Sequence, residues 1–69
     1  PYWMFPIYGY PGRLSCGEGR EIVFDSGFYR VRTIDCSGKY YSYAARRHGK
    51  SYRVVVNARN GNIVSVRPL

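Results

Sequence analysis

Side chains able to act as nucleophile, acid, base or metal ligand are scarce in this chain. Its two cysteines, Cys16 and Cys36, lie in Ser15-Cys16-Gly17 and Asp35-Cys36-Ser37-Gly38 and form no CxxC pair. With the single His48 they fall short of the four protein ligands of a structural zinc site. A Cys16–Cys36 disulfide is the better reading: closing a loop of about 20 residues contributes roughly 3 kcal/mol in the chain-entropy account. The alternative is a pair of buried free thiols, because cysteine packs as a small hydrophobe. A bridge would place the chain in an extracellular, periplasmic or lumenal setting. His48 stands beside Gly49 in an expected turn, Asp35 adjoins Cys36 and has nothing to activate once that cysteine is bridged, and Glu18 is claimed by a helix cap. No phosphate loop, dinucleotide fingerprint, HExxH or GxSxG occurs. Binding rather than catalysis is therefore expected, with no catalytic residue, metal or cofactor.

Charge is the stronger signal. Residues 1–29 carry a net −1, whereas residues 30–69 hold nine basic residues against Asp35 alone, a net +8. In that second part Arg30, Arg32, Arg46, Arg47, Lys50 and Arg53 interleave with Tyr29, Tyr40, Tyr41, Tyr43 and Tyr52. Arginine pairs with phosphate or carboxylate and tyrosine stacks, so these six cations are the candidate contacts for a polyanion or an acidic partner. A second candidate lies at the other end. The opening PYWMFPIYGYPGRL places Tyr2, Trp3, Phe5, Tyr8 and Tyr10 among prolines and glycines that forbid a helix or a central strand. Residues 1–14 read as an extended arm that covers an apolar face of its own domain, or else docks on a partner or a second copy.

These groups need a scaffold. At 69 residues there is room for one modest core, and a 45% hydrophobic composition is enough to fold one. No run approaches the roughly 20 apolar residues that span a bilayer. The chain opens at Pro1 without a basic-then-apolar leader, so a signal peptide is expected to be absent or removed. Ser15-Cys16-Gly17-Glu18 is a capping box, predicting a helix from Cys16 to Ser26 that ends at Gly27, with Phe28 folding back over Val23. Four β-like runs follow: Tyr29–Cys36, Tyr40–Arg47, Ser51–Ala58 and Ile63–Arg67, joined by short turns at Ser37-Gly38, His48-Gly49 and Asn60-Gly61. Alternation puts Tyr41, Tyr43 and Ala45 opposite Tyr40, Ser42, Ala44 and Arg46, sets Arg53 opposite Tyr52, Val54 and Val56, and places Arg30 with Arg32. The expected fold is α+β: residues 15–69 form one domain, a short N-terminal helix packed on an antiparallel meander of three to four strands in sequential order, with one disulfide.

The helix followed by strands, closing on Tyr-x-Val-x-Val-Asn-Ala-Arg-Asn-Gly-x-Ile-Val-x-Val over Tyr52–Val66, resembles PepSY domains. Asn57 stands where that family tends to have aspartate. Ser-Cys-Gly-Glu-Gly and Asp-Cys-Ser-Gly also resemble short Arg- and Tyr-rich periplasmic proteins of alphaproteobacteria, a group with no assigned function. The PepSY resemblance implies a secreted or periplasmic bacterial protein that restrains or regulates a peptidase, and carries over no catalytic residue. Taken together, the expected partners are an acidic envelope protein or polymer first, nucleic acid second and a peptidase third, against the plain alternative of a solvated basic face.

Overall fold

The computed structural model describes residues 13–69; the aromatic arm residues Tyr2, Trp3, Phe5, Tyr8 and Tyr10 lie outside the described residues. Helix α1 spans Cys16–Asp25, and the strands are β1 Tyr29–Asp35, β2 Tyr40–Arg47, β3 Lys50–Asn57 and β4 Ile63–Pro68. They form one antiparallel sheet in the order β1-β2-β3-β4, with α1 on one face. The expected α+β architecture is the one observed.

Local chemistry sets the helix bounds. Ser15 Oγ accepts the Glu18 N–H at 3.1 Å and the Glu18 carboxylate accepts the Ser15 N–H at 2.8 Å, so two otherwise orphaned donors are satisfied. At the far end Gly27 takes φ 102° and its N–H reaches Phe24 O at 3.1 Å, a conformation that side chains with a Cβ resist. Phe28, just beyond, is buried with Val23 in the core.

The core lies between α1 and the sheet: Val23 and Phe28 from the helix side, Tyr41, Tyr43 and Ala45 from β2, Val54 and Val56 from β3, closed by Leu14 and Ala58. Its two large tyrosines bury no unsatisfied hydroxyl. Tyr41 OH donates to Leu14 O at 2.7 Å and Tyr43 OH donates to Cys16 O at 2.8 Å, which ties β2 to the chain entering the helix. Tyr43 passes directly beneath Gly19, where any Cβ would collide with its hydroxyl. The glycine that weakens this helix by propensity is therefore what lets the helix sit on the tyrosine. Leu14, which the sequence places in the arm, is 6% exposed, and its N–H donates to Ala58 O at 2.7 Å. Arg13 likewise reaches Gly38 O at 3.2 Å.

Cys16 and Cys36 are bridged, with Cα atoms 5.7 Å apart. The bond joins the first residue of α1 to the residue just after β1. Tyr43 OH lies 3.6 Å from Cys36 Sγ and Thr33 Oγ1 lies 3.5 Å from Cys16 Sγ, so the bridge is packed into the corner where helix and sheet meet.

Candidate binding face

Because α1 covers one face of the sheet, the other is left open among the described residues, and strand register decides which side chains stand on it. In the β2–β3 pair, Ala44 faces Arg53, Ser42 faces Val55 and Arg46 faces Ser51, all opposite in pleat to the buried Tyr43 and Val54. Two further pairs extend the Ala44 position into a row across the whole sheet: Arg32 on β1 opposite Ala44, and Arg67 on β4 opposite Arg53. The row Arg32–Ala44–Arg53–Arg67 thus sets three guanidinium groups about a small, buried alanine. Beside it run Asp35, Ser42, Val55 and Ser65 in one direction and Tyr29, Arg46 and Ser51 in the other.

Bulges make this row possible. Between Tyr29 and Arg32, β1 advances three residues while β2 advances two, and the extra residue is Arg30, with φ 53°. Unbroken alternation would put Tyr29 and Arg32 on opposite faces. The bulge keeps both on the open face and frees Val31 to pack against the core. A similar step at Val64 in β4 carries Ser65 and Arg67 to the open face, while Ile63 stays opposite Val56. Val64, Ser65, Val66 and Arg67 do alternate apolar and polar, and that pattern was the signal for Arg67, which the sequence reading left out.

Arg46 is held in place. Its guanidinium donates to Gly49 O at 3.0 Å and to Ser51 Oγ at 3.4 Å, across a tight β2–β3 turn in which His48 and Gly49 both have positive φ. Tyr29 OH accepts the Gly49 N–H at 3.3 Å. Hydrogen bonding from Arg46, then from the Gly49 backbone, holds the Tyr29 phenol below its ordinary pKa, with the Arg46 and Arg30 charges adding to the effect. On the far side Asp35 accepts the Ser37 hydroxyl at 2.8 Å and the Ser37 N–H at 3.0 Å. These bonds, with a smaller contribution from Arg53, keep its carboxyl below the usual carboxylate range.

Of the six cations singled out from sequence, Arg32, Arg46 and Arg53 share the open face, and Arg30 lines the same cleft from its bulge. Arg47 and Lys50 do not join them. They pair with each other on the opposite side of the pleat, and Arg47 lies over the Phe28 ring at 4.9 Å, closing the end of the core. Tyr29 and Tyr40 stand at opposite ends of the open face, 40% and 50% exposed. Among the described residues, no three His, Cys, Asp or Glu side chains are placed to hold a metal ion, and no helix is long and apolar enough to cross a membrane.

Compared with known proteins, the chain matches no protein-family model, no curated protein and no solved structure.

Proposed function

We propose that this chain is a binding module, without a reaction of its own, that recognises an acidic polymer of an oxidising compartment through the open face of its sheet. The observation that carries this reading is the cross-strand row Arg32–Ala44–Arg53–Arg67, with Arg46 beside it. Neighbouring strands lie about 4.8 Å apart, so the row presents cations along a line of roughly 15 Å, which suits a repeating anion. Arginine forks bind carboxylate and phosphate in two-point fashion. Serines at 42, 51 and 65, with Tyr29 and Tyr40 at the ends, offer hydroxyl and stacking partners to the units between the charges. An acidic protein surface is the alternative ligand for the same arginines, with the exposed Tyr29 and Tyr40 as its anchors. The disulfide supports a periplasmic or secreted setting, which also disfavours nucleic acid as the natural ligand.

A panel of acidic polysaccharide, peptidoglycan, single-stranded RNA, duplex DNA and an acidic protein, each titrated at several salt concentrations, tests the reading. The expected result is salt-sensitive binding that is tightest for the acidic polysaccharide or peptidoglycan. Binding that is indifferent to salt, or confined to the protein partner, contradicts it.

A further inference from the structure

Near one end of the open face, Arg30, Arg32, Ala44, Arg46, Ser51 and Leu69 line a cleft of about 440 Å³ between β1 and β2. Three guanidinium-bearing residues meet there, and the lining includes no carboxylate side chain. We propose that this cleft is a discrete site for a phosphate monoester group, such as a phosphorylated sugar or a lipid headgroup presents. This inference rests on the proposed polyanion reading and names the group that the face selects.

Three features point to a doubly charged, multi-oxygen ligand. A single carboxylate leaves most of the local positive charge uncompensated, whereas a monoester dianion offsets two charges and offers three oxygens to forked donors. Arg46 is pre-oriented by its bonds to Gly49 O and Ser51 Oγ, so little side-chain freedom remains to be lost when an anion binds. Arg30 holds φ 53° although it is not glycine, a left-handed conformation that a residue with a Cβ adopts only at a cost. Glycine would relieve that cost and would still form the bulge, so strain alone gives no reason for an arginine.

The test uses the full chain and sn-glycerol 3-phosphate, titrated by calorimetry at fixed ionic strength from pH 5 to pH 7. A phosphate monoester gains its second charge near pH 6, so affinity should rise about tenfold over that range. The charged side chains lining the cleft are Arg30 and Arg32 from β1 and Arg46 from β2, with the titratable Tyr29 and His48 adjoining it. Arg30→Gly should weaken binding about tenfold while leaving the fold intact, because glycine adopts this backbone freely. Arg59→Gln, in the exposed β3–β4 turn, should change nothing. Phosphatidylcholine vesicles with and without phosphatidic acid then identify the source of the group: capture of both free monoester and loaded vesicles indicates a headgroup, and free monoester alone a soluble sugar phosphate. Affinity flat with pH, retention of binding in Arg30→Gly, or capture of vesicles alone overturns the site. A silent monoester with polymer binding intact overturns the cleft and leaves the broader reading standing; monoester binding without polymer binding overturns only the broader reading.

Discussion

On the helix-covered face Tyr41, Tyr43, Val54 and Val56 are at most 4% exposed, while their immediate neighbours on the open face include Tyr40 at 50% and the exposed Arg53. Both sets come from the same two strands. On the covered face each large apolar side chain contributes about 1.5–3 kcal/mol by burial, and every buried side-chain polar atom among the described residues has a partner. On the open face Arg53 and Arg67 stand directly opposite each other with like charge, and β1 carries a left-handed arginine. Like charges so placed cost up to about 1 kcal/mol. One face therefore carries the fold, and the other gives up a little stability to gather cations.

The contrast is sharpest at the disulfide. Cys16→Ser should destabilise by about 2–5 kcal/mol, because it releases the corner on which α1 sits. Intact mass with and without reductant should differ by two protons, and alkylation of both thiols without reduction would contradict the bridge. Alteration of the open face should have no effect of this size.

Alkaline pH separates the faces next. Burial, then the neighbouring Tyr41, pushes the Tyr43 phenol up to about 12 from 10.0. The fold favours the neutral phenol, so this contribution is fully present below the unfolded value near 10 and is lost as pH rises through the folded value. Two pH units correspond to about 3 kcal/mol. Urea unfolding at pH 8 to 12 should show that loss, and Tyr43→Phe should flatten it.

Gly27→Val isolates a backbone cause. Among the described residues, nothing beyond its chain neighbours lies within 4 Å of the Cβ it would add, so φ 102° is the obstacle, and a loss of about 1–2 kcal/mol is expected in thermal or denaturant unfolding. A neutral result would remove the left-handed helix ending from the account.

The sequence read well where short-range chemistry decides. Ser15 and Glu18 spell the cap and Gly27 the end, and the pleat of β2 and β3 follows from plain alternation. The departures have separate causes. Arg30 does not stand beside Arg32 as plain alternation places it, because the bulges at Arg30 and Val64 exist only relative to a partner strand. Arg47 was misplaced for the opposite reason: alternation correctly separates it from Arg46, but composition alone pooled the two. Leu14 belongs to the core because Tyr41 and Ala58 hold its backbone, contacts 27 and 44 residues away in the chain.

Smaller in energy but closer to function, Arg67→Ser should raise stability by a few tenths of a kcal/mol, by relieving the like-charged pair with Arg53. The same change should weaken polyanion binding. Equal or lower stability would show that the open face is not under charge strain.

The most direct test of the division between the faces is the salt dependence of polymer binding in the Arg32→Gln, Arg53→Gln, Arg67→Gln triple variant, measured beside its unfolding curve. Each cation contact contributes about 0.7–0.9 to the slope of log affinity against log salt on nucleic acids. The account predicts a slope shallower by about two, affinity lower by at least tenfold, and unfolding within about 1 kcal/mol of the parent chain. An unchanged slope with undiminished affinity would contradict it.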